Sequence, residues 1–226
     1  MTILILVSLA LPGLPAMLFA GGAGEAGGSA AQEGTASGDT GRAQDASAAA
    51  GDPAYEQGID DGPVPEDAAM AVFAGGCFWC MEEAYEAVPG VYEAVSGYAG
   101  GDAPDPSYRQ VVGGGTGHYE VVRVFYNEEV LSYEDLLYIF WRNVDPLDDG
   151  GQFCDRGSSY LAAIFTRTEE QARLARESKD ELVESDRFGS PIQVEVLELD
   201  VMEGDDNDGF WVAEEYHQDY YLKNPV

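Results

Sequence analysis

Residues 75–80 read Gly75, Gly76, Cys77, Phe78, Trp79, Cys80, and they connect an apolar run at 70–74 with a helix-forming segment at 81–88. A strand that runs into two glycines and then into a helix places Cys77 at or near the helix N-terminus. There, unpaired backbone N–H groups and the helix dipole favour a thiolate over a thiol. The stretch therefore predicts a reactive sulfur at Cys77.

The spacing of Cys77 and Cys80, with two residues between them at a helix start, is typical of a reversible disulfide. A zinc site is the first alternative, but it would need two more ligands from Cys154, His118 and His217, and there is no second cysteine pair. Two buried, inert cysteines are the other alternative, which would not explain the flanking glycines. The odd count of three cysteines favours at least one working thiol.

The 226 residues divide into three parts by composition. Residues 1–20 are apolar and uncharged, which indicates a signal peptide or a membrane anchor, although no basic residue precedes the apolar run. Residues 21–66 are rich in Gly, Ala, Ser and acidic residues, which predicts a disordered linker. Residues 67–226 are long enough for one folded domain. We expect an exported protein in a periplasmic or other extracytoplasmic location, with membrane anchoring or a cytoplasmic location as alternatives.

The net charge is −31, from 42 acidic and 11 basic residues. A field of this sign repels nucleic acid and anionic lipid, so neither is expected as a partner. No flavin or nicotinamide motif occurs, and the chemistry requires no fixed metal, so no cofactor is predicted. The glycines at 113–117 lack the lysine of a phosphate-binding loop.

The order of strand and helix patterns predicts an α+β domain in which helices pack on a mixed sheet in two layers. Ser132 and Thr168 stand where N-caps of two helices are expected. The aromatic segment 212–222 predicts one short helix at the end of the domain.

Glu120 begins an apolar strand at 119–126, directly after the glycine loop. As a solvated strand end it would have no special chemistry. If it is buried near Cys77, desolvation raises its pKa and makes it a proton donor near neutral pH. Phe78 and Trp79 are either core residues or the walls of a small apolar pocket beside the sulfur.

Tyr108 and Tyr160 stand at loop exits, where a hydroxyl can bind an oxygen or simply cover the edge of the core. Asp155 either pairs with Arg156 or hydrogen-bonds water in the site. His118 and His217 are interpreted as hydrogen-bonded structural groups.

Taken together, these motifs resemble those of the A-type peptide methionine sulfoxide reductases, from residue 72 to residue 225. The motifs that carry the resemblance occur in order: Gly75 to Trp79; Pro106 to Arg109; Gly114 to Glu120; Val144 to Pro146; Gly151 to Tyr160; and His217, Gln218, Tyr221, Leu222, Asn224 and Pro225. The resemblance implies a ferredoxin-like fold and reduction of the S epimer of methionine sulfoxide, both in proteins and as the free amino acid.

The resemblance also implies roles for the candidate residues. Cys77 is the nucleophile and Glu120 the proton donor, while Tyr108 and Tyr160 bind the sulfoxide oxygen. The remaining implied roles are the substrate methyl contact at Phe78 and Trp79 and a place for Asp155 in the hydrogen-bond network. The expected partners are oxidised proteins, free methionine sulfoxide and a thioredoxin-like reductant, and a monomer is expected.

The sulfenic acid formed at Cys77 requires a second thiol for its resolution. Many family members use cysteines in a glycine-rich C-terminal tail, whereas this sequence has no cysteine after Cys154. The candidates are Cys80, Cys154 or an outside thiol, and we favour Cys80. Two other functions stay open: a general thiol–disulfide oxidoreductase that uses Cys77 and Cys80, and a non-enzymatic peptide-binding module.

Overall fold

A computed structural model of the protein describes residues 63–199 and 208–225. The larger sheet has six strands: β1 (Ala69–Gly75), β2 (Val91–Ala99), β3 (Tyr119–Tyr126), β6 (Ala162–Thr166), β7 (Glu195–Glu198) and β8 (Phe210–Val212). A small second sheet consists of β4 (Gly151–Gln152) and β5 (Asp155–Arg156). The helices are α1 (Phe78–Glu86), α2 (Tyr108–Val112), α3 (Tyr133–Asn143), α4 (Glu169–Glu184) and α5 (Tyr220–Lys223). Short 3-10 turns cover Ser158–Tyr160 and Glu215–His217.

The larger sheet is mixed, with the strand order β7-β6-β1-β3-β2-β8. All neighbouring strands are antiparallel except β6 and β7, which are parallel. The prediction of an α+β domain with a mixed sheet is therefore confirmed. The predicted signal and nearly all of the predicted linker lie outside the described residues.

The helices bury their apolar sides against one face of the larger sheet. Phe73 of β1 stacks between Tyr85 of α1 and Phe140 of α3, with ring centroids 5.2 and 5.5 Å away. Ala175 of α4 belongs to the same buried cluster. Because side chains alternate along a strand, the neighbours Val72 and Ala74 point to the opposite face, where a smaller cluster forms.

The expected helix starts are present. Ser132 caps α3 by accepting a hydrogen bond from the backbone N–H of Asp135 at 3.1 Å. Thr168 caps α4 in the same way through Gln171, also at 3.1 Å. Each cap satisfies a backbone donor that the helix itself leaves unpaired.

The single helix expected at 212–222 is wrong. Residues 210–212 form β8, which pairs with the edge strand β2, and a 3-10 turn and the short α5 follow. An edge strand leaves backbone groups unpaired, and β8 satisfies those of β2. The chain then continues the pairing with a hydrogen bond from Ala213 N–H to Ser96 O at 3.0 Å. In the described ranges 63–199 and 208–225, no helix combines the length and the apolar character needed to span a membrane.

Candidate active site

The turn between β1 and α1 positions the first sulfur. Cys77 is the N-cap of α1, as the sequence predicts, and its side chain is half-buried. Gly76 before it has φ +84°, and a Cβ there would lie 2.5 Å from the Cβ of Gln152. Only glycine meets both requirements without strain. Gln152 is itself fixed by two hydrogen bonds to the backbone of Asp145, at 2.7 and 3.0 Å.

Glu120 lies at the same helix terminus. Its Oε2 accepts a hydrogen bond from the backbone N–H of Phe78 at 3.2 Å, and its side chain is 1% exposed. Its Oε1 is buried and has no hydrogen-bond partner in the described ranges. Burial raises the pKa of Glu120 to about 8, against the lowering effect of the Phe78 N–H. Glu120 is therefore not a solvated strand end but a buried carboxyl group that is mostly protonated at neutral pH.

Two phenols and a second acid stand beside Glu120. Burial, the hydroxyl of Tyr108 and the charge of Glu120 all raise the pKa of Tyr160, so these groups are close neighbours. Asp155 also faces Glu120 and contributes to its raised pKa. The alternative in which Asp155 pairs with Arg156 is wrong.

Arg156 turns away from Asp155. It makes a salt bridge to Asp148, with Nη2 donating to Oδ1 at 2.9 Å. Asp155 is thus left to act on the groups around Glu120. The β4–β5 hairpin delivers this carboxylate to the site.

The two sulfurs of the motif perturb each other. Interaction with Cys80 and burial raise the pKa of Cys77. Interaction with Cys77 lowers the pKa of Cys80 to about 6, and a hydrogen bond with Tyr221 contributes to this lowering. Partial burial of Cys80 acts in the opposite direction. Cys77 thus lies at the helix terminus as expected, but its neighbour raises its pKa, and the pKa of Cys80, the more exposed sulfur, is lowered instead.

Aromatic rings form the other side of the site. Phe78 is 2% exposed, and its ring centroid lies 6.3 Å from that of Tyr108 and 4.9 Å from that of His217. Trp79 is half-buried and donates its indole N–H to Nδ1 of His217 at 3.1 Å. Tyr220 stacks on the indole, with centroids 3.6 Å apart and an interplanar angle of 6°.

The comparisons with known proteins agree with this geometry. Residues 69–226 match the family model described as peptide methionine sulfoxide reductase. The chain belongs to this family. It is 47% identical over 155 residues to peptide methionine sulfoxide reductase MsrA of Ligilactobacillus salivarius (strain UCC118), covering 69% of this chain and 86% of that protein. It is 46% identical over 157 residues to MsrA of Bacillus subtilis (strain 168), covering 70% and 84%.

Solved structures of the family have the same fold. The crystal structure of reduced Mxr1 from Saccharomyces cerevisiae has a TM-score of 0.63 at 30% identity, covering 72% of this chain and 90% of that chain. Methionine sulfoxide reductase A of Corynebacterium diphtheriae has a TM-score of 0.62 at 27% identity, covering 72% and 77%. The protein is thus a peptide-methionine (S)-S-oxide reductase, an oxidoreductase that reduces methionine sulfoxide and so repairs oxidised methionine.

Within this reductase, most of the predicted site residues come together. The residues that surround the N-terminus of α1 are Cys77, Cys80, Glu120, Tyr108, Tyr160, Asp155, Phe78 and Trp79. Cys154 is exposed on the turn between β4 and β5. The two histidines differ. His118 holds loop backbone at Gly101 and Ala103, at 3.2 and 2.8 Å, whereas His217 lies inside the aromatic part of the site.

Sequence reasoning did not assign site positions to Glu214 and His217. Glu214 accepts hydrogen bonds from the Tyr98 hydroxyl at 2.9 Å and from the Tyr108 N–H at 3.0 Å. Although partial burial opposes it, these hydrogen bonds hold the pKa of Glu214 below its usual range. Burial lowers the pKa of His217, which keeps the ring neutral and able to accept from Trp79. The sequence motif that contains His217 and Gln218 could have indicated these positions, but it did not show which residues Glu214 and His217 contact.

Proposed function

We propose that the reductase acts on methionine (S)-sulfoxide, protein-bound and free, through a sulfenic acid at Cys77 and an intramolecular disulfide. The observation that carries the proposal is Glu120, a buried and largely protonated carboxyl group on the helix terminus that Cys77 caps. A sulfoxide becomes a good electrophile only when its oxygen receives a proton or a strong hydrogen bond. The reaction therefore requires a nucleophile and a proton donor at one place, and Cys77 and Glu120 supply them at the same helix end.

In the first step, Cys77 loses its proton to solvent and attacks the sulfoxide sulfur as a thiolate. Glu120 gives its proton to the sulfoxide oxygen, and Tyr108 and Tyr160 hold that oxygen with their hydroxyls. The oxygen leaves the substrate and becomes bonded to Cys77. Methionine is released, reduced by two electrons, and Cys77 becomes a sulfenic acid, oxidised by two electrons.

The aromatic side of the site holds the substrate during this step. Phe78 and Trp79 contact the methyl group, and the fixed indole orientation supports this role. Asp155 acts through the hydrogen-bond network around Glu120, whose pKa it raises.

In the second step, Cys80 attacks the sulfur of the Cys77 sulfenic acid. The S–S bond forms, the S–O bond breaks, and the oxygen leaves as water. Cys80 is favoured because it already interacts with Cys77 and has a pKa of about 6. Cys154 is the alternative resolving thiol. A thioredoxin-like dithiol then reduces the disulfide and returns both cysteines to thiols.

One assay tests the catalytic roles. Each epimer of methionine sulfoxide is supplied with dithiothreitol to the wild type, Cys77→Ser and Glu120→Gln. We expect the S epimer alone to be reduced, with activity lost in the first variant and strongly slowed in the second. Equal reduction of a protein disulfide by wild type and Glu120→Gln, without sulfoxide reduction, would instead indicate a general thiol–disulfide oxidoreductase. Binding of peptides without either reaction would indicate a peptide-binding module.

The remaining proposals concern context. The apolar, uncharged residues 1–20 support export to an extracytoplasmic location, where residues 21–66 would act as a disordered linker. Cell fractionation with an antibody to the catalytic domain tests the location. We also propose a monomer, which gel filtration tests.

The central strand order supports a ferredoxin-like description of the domain. The strands run β6-β1-β3-β2, with α1 between β1 and β2 and α3 between β3 and β6. This is the connectivity of a split β-α-β arrangement.

A further inference from the structure

The last described helix, α5, places two consecutive tyrosines on the cysteine motif. Tyr220 stacks on the indole of Trp79, as described above. Tyr221 lies over the second sulfur, with its Oη 3.6 Å from Sγ of Cys80. A salt bridge from Lys223 to Asp219 at 3.3 Å spans the helix. A single helical turn thus contacts both the proposed methyl-binding ring and the proposed resolving sulfur.

The groups around Cys80 do not all favour a charged sulfur. Glu83 on α1 and Asp155 on β5 are acids whose charges raise the pKa of Cys80. Lys223, the basic residue of α5, is paired with Glu215 and Asp219. Two neighbours lower the pKa of Cys80: the Cys77 thiol and the Tyr221 hydroxyl. The Cys77 thiol no longer exists once Cys77 has become a sulfenic acid.

We propose that Tyr221 is a positioning residue for the resolving step: its hydroxyl donates a hydrogen bond to the Cys80 thiolate and keeps that sulfur beside Cys77. This inference rests on the proposed role of Cys80 as the resolving thiol. A thiolate has no proton to give, so the phenol must be the donor in this contact. The pKa of Tyr221 is raised to about 12, so the phenol stays protonated throughout the neutral range.

The chemistry of the step requires no further reagent. The Cys80 thiolate forms the bond to the Cys77 sulfur and the S–O bond of the sulfenic acid breaks. The departing hydroxide takes from solvent the proton that Cys77 lost in the first step, and leaves as water. Tyr221 keeps its own proton and loses its acceptor when Cys80 enters the disulfide. Its contribution is therefore to the rate of resolution and not to sulfoxide reduction.

The test compares Tyr221→Phe with Tyr220→Phe, two variants that each lose one hydroxyl from adjacent positions of α5. Each is mixed with about one equivalent of methionine (S)-sulfoxide without reductant and quenched over time. Methionine release reports the first step, and mass spectrometry reports sulfenic acid and disulfide at Cys77. The pH dependence of Cys80 alkylation reports the charge on that sulfur.

In Tyr221→Phe we expect methionine release at the wild-type rate, disulfide formation slowed about tenfold, sulfenic acid that accumulates, and a raised pKa of Cys80. In Tyr220→Phe we expect disulfide formation and Cys80 alkylation as in the wild type, since the ring stack remains. Disulfide formation at the wild-type rate in Tyr221→Phe would overturn the inference.

A third variant separates this outcome from failure of the underlying proposal. Cys80→Ser should release methionine and accumulate sulfenic acid without an intramolecular disulfide. If Cys80→Ser still forms a disulfide through Cys154, the proposed resolving thiol is wrong. If Cys80→Ser is blocked while Tyr221→Phe resolves normally, only the role of Tyr221 is wrong.

Discussion

Replacing Glu120 by glutamine should remove the proton donor while leaving its structural contact. The amide oxygen of Gln can still accept from the Phe78 N–H, which Oε2 of Glu120 does at 3.2 Å. With a pKa of about 8, about nine-tenths of wild-type Glu120 carries its proton at pH 7. A carboxyl group with the ordinary value of 4.5 would be protonated in only about one molecule in three hundred. Burial thus supplies most of the active acid.

We expect Glu120→Gln to lower the first-order rate of methionine formation about a hundredfold to a thousandfold at pH 7, with little change in substrate affinity. In the wild type the protonated form is active, so the rate should fall as pH rises through about 8. The variant should lack this alkaline limb. Single-turnover methionine release from pH 6 to pH 10 measures both effects.

Glu82→Gln is the matched control. Glu82 is also a carboxyl group and is 1% exposed, but it bonds Ser96, with the hydroxyl of Ser96 donating at 3.0 Å. Its variant should keep the alkaline limb. An unchanged alkaline limb in Glu120→Gln would refute the assignment of Glu120 as the acid.

The remaining predictions test other parts of the site. Because the folded-state pKa of Glu120 is raised, its contribution to stability is present below about pH 4.5 and lost as pH rises through about 8. Glutamine has no charge to bury, so urea unfolding should find Glu120→Gln about 4–5 kcal/mol more stable than the wild type at pH 9. At pH 4 the two proteins should be nearly equal in stability. Gly76→Ala should lose about 2–4 kcal/mol of unfolding free energy, because the backbone φ is positive and the new Cβ would overlap Gln152. Gly114→Ala should lose only about 1 kcal/mol, because Gly114 also has a positive φ, +78°, but a Cβ there would meet open space. An equal loss in the two variants would contradict the overlap. His217→Asn should raise KM about fivefold, because the hydrogen bond that Trp79 donates to His217 is lost. The single-turnover rate at saturating substrate should stay near that of the wild type. A fall in that rate at constant KM would exclude a role of His217 through Trp79.

Local signals in the sequence predicted the start of α1 but not how the environment shifts the pKa values of its two sulfurs. The apolar run, the two glycines and the following helix pattern are contiguous, so the N-cap position of Cys77 follows from short-range geometry. The lowered pKa of Cys80 depends on its neighbour Cys77 and also on Tyr221, which lies 141 positions from Cys80. No periodicity connects residues so far apart.

The same distinction explains the errors elsewhere. The short helix α2 begins with a capping box, Ser107 with Gln110, which is a local signal that the sequence prediction overlooked. The segment 212–222 has helical spacing of aromatic residues, yet β8 forms because the edge of β2 offers hydrogen bonds. Pairing between distant strands can override a local pattern, since the edge backbone groups must find partners.

Two acids near Tyr108 show how the fold assigns different protonation states to the same side chain. Glu214 receives hydrogen bonds from two donors, the Tyr98 hydroxyl and the Tyr108 N–H, and these stabilise its charged form. Glu120 receives one, from the Phe78 N–H, while Oε1 stays buried without a partner in the described ranges. Desolvation is therefore offset at Glu214 and prevails at Glu120. Of the two, only Glu120 can donate a proton at pH 7, and only Glu120 accepts its hydrogen bond at the helix terminus that holds the sulfur. The full burial of Glu120, together with the donors directed at the less buried Glu214, thus decides which of the two serves as the acid.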